Sequence, residues 1–401
     1  MTKTIKLAVV AALALGATSA FATNGDVMIG QGAKSRAMGG VGIAKAFGAE
    51  SALVNPANIS SVKDMEATIA VTVFMPDVSF KSNIAGSTGD YVDSDASLSV
   101  IPELYYAARL SDLLVLGITI AGTAGMGVDY DSDTASPATF GASGTARMKT
   151  ELALLKVAVP VSYTIGNVTL GAAGVLQYGT LQMSHLSGGG FIDNGQSSDI
   201  GYGLEFGATY TTGGLTLGAV YKSEIGMTYD NTISASVTSF GAGGVIKSGD
   251  NLAQPEERGV GISYIMGANT LSADYKNIAW ADAAGYGDFG WENQDVYAVG
   301  YEYGADTWAV RLGYNYAKSP IVEQASTAQN FFNLGGFPGI VETHYALGGG
   351  MTFGDFTVDG SFIYVPETTA SYDVSQFGVP GATADVKHSQ MGVTIAGTYA
   401  F

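Results

Sequence analysis

The chain has no cysteine, which excludes disulfides, thiol nucleophiles and thiolate metal sites. Basic residues are scarce: 18 Lys and Arg stand against 36 Asp and Glu, for a net charge of -18. That balance argues against a nucleic-acid partner, whose phosphates attract Lys and Arg. Beyond residues 7–15 no apolar run approaches the ~20 residues that a membrane-spanning helix needs, which excludes a helical inner-membrane protein. The histidines at 185, 344 and 388 lack metal-ligand spacing. His388 and Ser389 are adjacent, which puts them on opposite faces of a strand and not in a nucleophile–base pair. The acidic run at Asp129, Asp131 and Asp133 opens like a calcium loop but lacks the glycine and the distal glutamate such a loop requires. No catalytic residue, metal or cofactor is expected. No motif of fixed length repeats, which argues against a propeller or solenoid.

What the chain has in abundance is Gly (56) and Tyr (22), arranged in alternating segments. Trp308, Val310, Leu312, Tyr314 and Tyr316 alternate with Ala309, Arg311, Gly313 and Asn315. Tyr202, Leu204, Phe206 and Tyr210 alternate with Gly203, Glu205, Gly207 and Thr209, and residues 356–364 repeat the pattern. Side chains alternate faces along a strand, so each segment has an apolar, aromatic face and a small or charged one. A wall between lipid and a lumen requires that division. Short breaks rich in Gly, Asn and Asp fall at 111–112, 166–167, 213–214, 267–269, 304–306 and 354–355. Long breaks fall near 84–96, 129–145, 186–198, 230–253, 282–292, 319–340 and 366–384. The two kinds alternate, which implies fourteen strands. The expected fold is all-β: a 14-stranded antiparallel transmembrane β-barrel over residues 63–401, with short periplasmic turns and long external loops.

Both ends of the sequence agree. Lys3 and Lys6 precede the apolar run at 7–15, and Ala20-Phe21-Ala22 supplies an A-x-A step, so residues 1–22 read as a cleaved signal peptide. At the other end Met391, Val393, Ile395, Tyr399 and Phe401 share one face. An apolar strand closing on Phe401 is expected to engage the barrel assembly machinery of a Gram-negative outer membrane, leaving a monomer among lipid and lipopolysaccharide. Residues 23–62 do not alternate and cannot join the wall. A short helix is expected around 42–53, with a break at Asn55-Pro56. A fourteen-strand barrel is wider than its own side chains can fill, so this segment reads as a plug, or hatch, within the lumen.

Specific residues now match a family. Gly30-Gln31-Gly32-Ala33, running on to Met38-Gly39-Gly40, and then Leu53-Val54-Asn55-Pro56-Ala57, resemble the hatch of the FadL/TodX outer-membrane transporters of long-chain fatty acids and aromatic hydrocarbons. Pro102-Glu103-Leu104-Tyr105, Tyr221-Lys222-Ser223-Glu224 and Pro255-Glu256 extend the likeness. The resemblance implies that a hydrophobic ligand is captured by the external loops and enters the plugged barrel. It then leaves sideways through a gap at a kinked third strand. Hatch residues are then Gly39, Gly40, Asn55, Pro56 and Ala57. The window falls on Gly122, Gly125 and Gly127, where glycines interrupt an alternating strand and suit a bulge. Met183, His185, Phe331 and Phe332 are candidates to line the ligand's path. Residues 179–186 and 281–289 carry no Lys or Arg where fatty-acid members hold the carboxylate, which favours a neutral ligand. Arg109, Lys156, Lys222 and Arg311 have inward parity and are expected to form ion pairs with groups such as Glu205 or Asp274. A general diffusion porin and a structural or adhesive barrel are the other readings; a porin has no use for a forty-residue plug.

The terminal strand yields the first prediction. Phe401→Asp places a charge at an apolar anchor, so the heat-modifiable barrel recovered from outer membranes should fall several-fold. Normal levels would contradict the terminal reading.

Overall fold

The computed structural model describes residues 23–84, 90–130, 148–187, 190–239 and 246–401. The expected leader at 1–22 and the acidic residues 131 and 133 lie outside this set. Fourteen long antiparallel strands form the wall. They are β1 (Met65–Ser82), β2 (Ser99–Arg109), β3 (Leu114–Asp129), β4 (Met148–Ile165), β5 (Val168–Ser187), β6 (Gly190–Thr212) and β7 (Leu215–Lys222). The rest are β8 (Glu257–Met266), β9 (Asn269–Ile278), β10 (Gln294–Gly304), β11 (Trp308–Ala317), β12 (Thr343–Phe353), β13 (Phe356–Asp373) and β14 (Thr383–Ala400). Each pairs with its sequence neighbour, and β14 pairs with β1 from Ala384↔Ser82 to Ala400↔Glu66, closing the ring. Closure removes the sheet edges that lipid cannot satisfy.

The side chains sort as alternation requires. Along β11, Trp308, Val310, Leu312, Tyr314 and Tyr316 are exposed, whereas Arg311 and Asn315 are buried. Ile69, Tyr202 and Ile395 are among the most exposed large apolar residues, at 65, 73 and 62%. In water such a surface would drive aggregation; against acyl chains it is matched.

Two expectations need correction. Residues 186–198 and 366–384 were expected to be loops, but β5 pairs with β6 as far as Ser187↔Gly190, and β13 with β14 as far as Asp373↔Thr383. Apolar alternation stops where the wall leaves the lipid, while the hydrogen-bonded ladder continues into water. In the hatch, the expected helix at 42–53 is absent. Helix α1 lies earlier, at Gly32–Ala37, and the region holds only a 3-10 turn, Glu50–Leu53. Side chains take the backbone groups a helix would have used: Asp274 accepts the Gly42 and Ile43 N–H groups at 2.7 and 2.9 Å. The Asn55 and Asn58 amides donate to the carbonyls of Ile43 and Gly42 at 2.7 and 2.8 Å.

Residues 23–62 sit within the ring and are almost wholly buried. Wall glycines let the two backbones touch. A Cβ on Gly313 would overlap the Gly39 nitrogen and the Met38 carbonyl carbon, and one on Gly207 would overlap the Asn55 side chain. At 313 both neighbours are backbone and cannot yield. Gly313→Val is therefore expected to push the hatch off β11 and raise ion conductance in planar bilayers several-fold while the barrel stays heat-modifiable. Unchanged conductance would mean that the hatch does not seal there.

Candidate functional site

The third strand is where the wall departs from a regular barrel. β2 pairs with β1 along residues 99–108, but with β3 only from Arg109↔Val115 to Glu103↔Ala121. Beyond Ala121, β3 stays with β4 through a bulge at Thr123 and on to Asp129↔Lys149. Residues 121–128 are buried on both faces, so this half of β3 has left the lipid surface and turned inward. The hatch takes the vacated edge: Val27 stands opposite Ala124, and the Gly125 N–H donates to the Asp26 carbonyl at 3.0 Å. Gly122, Gly125 and Gly127 all fall in this segment. A Cβ on Gly122 would meet Ile101 of β2 at 2.6 Å, so Ile101 closes the gap from the other side. Pro102, which lacks an N–H, occupies the first position of β2 past the last β3 rung, where an edge tolerates proline.

Ion pairs fix the hatch. Arg36 of α1 is fully buried and contacts Glu103 at 2.5 Å, on the last rung before the gap. Glu103 also accepts the Gly32 N–H at 3.0 Å and the Tyr105 hydroxyl at 2.6 Å. A second chain of charges alternates in sign. Lys34 contacts Glu50 at 2.9 Å and Asp359 at 3.6 Å; Arg311 bridges Asp359 (2.7 Å) and Glu302 (2.6 Å); Lys45 contacts Glu302 at 2.8 Å. Burial alone would lower Lys34, but Glu50 and Asp359 outweigh it and hold the ammonium above its ordinary value, so it stays charged. Arg109 does not form the expected carboxylate pair. It donates to the carbonyls of Ser60, Val62 and Lys63 at 2.5–3.0 Å and clamps the junction between hatch and barrel. Asn55 caps the turn Pro56–Ser61 by accepting the Ala57 N–H at 3.0 Å.

Behind the window lies a cavity of about 40 Å³, lined by Val27, Met28, Thr123, Ala124 and the lysines 156, 222 and 276. Lys156 contacts Glu205 at 3.4 Å, while Lys222 and Lys276 share Glu257 at 3.3 and 3.9 Å. Asp274 also faces Lys276 and Asp26 faces Lys156, so these lysines are not in excess of the carboxylates around them. This cluster escaped the sequence reading because its members come from three separated strands, β4, β7 and β9. Lys276 carried the missed signal: a third inward-parity lysine beside Lys156 and Lys222.

The proposed lining residues are not brought together on this cavity. Met183 and His185 are buried on β5. Phe331 and Phe332 belong to a further helix, α2 (Thr327–Gly336), and are core residues of an aromatic cap. In that cap Trp280 lies 4.6 Å from Tyr286 and 5.1 Å from Trp291, and Phe289 lies 4.8 Å from Phe332, ring to ring. The Trp291 indole N–H donates to Asn333 at 3.1 Å.

Arg36→Met would leave Glu103 buried without its cation. The hatch should lose about 3–5 kcal/mol, read as faster hydrogen exchange of residues 32–37, and Glu103→Leu in the same chain should restore part of it, since the Gly32 N–H and the Tyr105 hydroxyl then lose their acceptor. Exchange unchanged by Arg36→Met would show that the pair does not anchor the hatch.

The comparisons with known proteins fit this architecture. A family model described as outer membrane protein transport protein (OMPP1/FadL/TodX) matches residues 8–257. A curated Chlorobium limicola protein, described as uncharacterized and encoded 5' of a phosphoenolpyruvate carboxykinase gene, is 37% identical over 114 residues. That match covers 28% of this chain and 54% of the other, so the chain spans about half the length of that relative. Among solved structures, a Pseudomonas aeruginosa FadL homologue is 16% identical, with a TM-score of 0.69 over 94% of this chain and 100% of that one. The Pseudomonas putida toluene transporter TodX is 18% identical, with a TM-score of 0.68 over 94% and 100% of the two chains. The Ralstonia pickettii toluene transporter TbuX is also 18% identical, with a TM-score of 0.65 over 93% and 99%. At these identities the structures establish the fold, while the family model covers more than half of the chain. A plugged fourteen-strand barrel with this sequence match belongs to the OMPP1/FadL/TodX family of outer membrane transport proteins.

Proposed function

We propose that this barrel carries hydrophobic small molecules that are captured at the external loops, enter above the hatch and leave sideways between β2 and β3. The observation that carries this reading is the exchange of partners at Ala121, where β3 gives up β2 and takes the hatch. A wall joined there by a replaceable hatch segment can open towards lipid without breaking the rest of the ring. The direction of release also follows from solubility: moving from lumen to acyl chains keeps apolar surface out of water, worth about 25 cal/mol per Å². Export by a cleaved leader at 1–22, with Phe401 read by the assembly machinery, remains part of this proposal.

The favoured ligand is a hydrophobic compound with one carboxylate, such as a long-chain fatty acid. The cavity behind the window has room for a head group but not for a chain, and three lysine side chains, Lys156, Lys222 and Lys276, line it as candidate donors to a carboxylate. A neutral aromatic hydrocarbon is the second reading, favoured by the aromatic cap and by the lack of Lys and Arg in residues 179–186 and 281–289.

Uptake of labelled oleate and toluene separates these readings. Gly125→Trp should abolish uptake of the natural ligand while the barrel still assembles. Lys222→Met with Lys276→Met should cut oleate uptake at least several-fold and leave toluene uptake unchanged. Full uptake of both compounds by folded Gly125→Trp would exclude the lateral route. Oleate uptake untouched by the lysine changes would favour the neutral ligand.

A further inference from the structure

Three consecutive hatch residues each meet a different part of the machine. Gly25 has φ +67°, and a Cβ on it would lie 2.6 Å from the Trp280 ring, so the cap rests directly on this backbone. Asp26 is fully buried; one carboxylate oxygen accepts the Tyr286 hydroxyl and the Gln254 amide (2.9 Å for the latter). Its other oxygen has no hydrogen-bond partner among the described residues. The Asp26 carbonyl holds Gly125, and Val27 stands opposite Ala124. Tyr286 and Gln254 come from two different external loops. A single side chain thus ties the outer cap to the segment that fills the window.

We propose that Asp26 is a proton-sensitive positioning residue: its carboxylate couples the external aromatic cap to the window strand, and its charge at neutral pH keeps residues 25–27 releasable. The inference rests on the lateral route proposed above. Burial is the main influence on this carboxyl and pushes it up to about 6; the Tyr286 and Gln254 hydrogen bonds act against the rise, Glu257 adds to it and Lys156 opposes it. Tyr229 also faces the charge; burial first, and then Asp26, raises its hydroxyl above the ordinary tyrosine range. The Tyr286 hydroxyl is raised well above its ordinary value, by burial first and then by Asp26, so it keeps its proton and serves as donor. The sign follows. The seated carboxyl binds its proton more tightly than it would in water, so protonation favours the seated state. Seating is firmest below about 3.8, weakens as pH rises from there to about 6, and is weakest above that, where a buried carboxylate with one unpaired oxygen must be held. Ligand that displaces Tyr286 would then release a segment already poised to leave.

The absence of cysteine makes the test direct. Val27→Cys in reconstituted barrels is labelled with a water-soluble maleimide, with and without Asp26→Asn. The neutral isostere should slow labelling several-fold at pH 7.5, and the two rates should converge only as pH falls to about 4. The ratio cancels the thiol's own pH dependence. Equal rates at both pH values, in barrels shown to be heat-modifiable, would overturn the role of Asp26. In a separate arm, Val27→Cys with Ala124→Cys is oxidised; cross-strand partners lie within disulfide reach. Uptake should stop and return with reductant. Cross-linked barrels that still take up ligand would refute the lateral route itself, whatever the labelling shows about Asp26.

Discussion

A backbone N–H or C=O facing hydrocarbon without a partner costs several kcal/mol, and that constraint governs everything around the third strand. A barrel meets it by pairing every strand with two neighbours. Here β3 abandons β2 at Ala121, and the upper half of its edge has to be satisfied in another way. Inward displacement and pairing with the hatch at Val27 and Asp26 do so. The opening in the wall and the seating of the plug are therefore one arrangement seen from two sides. A hatch that left would strand the edge of β3, and a β3 that straightened would have no place for the hatch.

Charges hold the plug in register. Arg36 meets Glu103 on the last rung of the β2–β3 ladder, so the anchor stands beside the gap and not across the lumen from it. The chain from Glu50 through Lys34, Asp359, Arg311 and Glu302 to Lys45 alternates in sign, which lets these groups be buried together without a net penalty of like charges. The lysines at 156, 222 and 276 gather beside the β2–β3 break, faced by Glu205, Glu257, Asp274 and Asp26.

Much of the wall was legible in the sequence, because period-two alternation records where lipid lies. The strands through Trp308, Tyr202 and Phe356, and the tight turns between strands, could be read from it. The projecting ends of β5–β6 and β13–β14 could not, since a ladder in water carries no apolar signature. The glycine interruption at 122–127 was visible, but not its partner: nothing local links Ala124 to Val27, nearly a hundred residues earlier. Hatch backbone was misread at 42–53 because its hydrogen bonds go to Asp274, Asn55 and Asn58, and a helical expectation assumes they stay local. Phe331 and Phe332, expected along the ligand's path, lie on helix α2 of the cap, which no local pattern in the sequence announced. Asp26 had one faint signal, the lone charge in residues 23–33.

Trapping a ligand at the gap tests the lateral opening most directly. A photoreactive benzophenone side chain is placed at Ile101, which closes the gap from β2, and in a second protein at Gly267, in a periplasmic turn. Photoreactive fatty acid is excluded as a confounder by using unmodified, radiolabelled ligand added from outside. A laterally opening wall predicts ligand captured at position 101 and little at 267. Capture at 267 with none at 101 would show that ligand passes straight through the barrel, and would contradict the account.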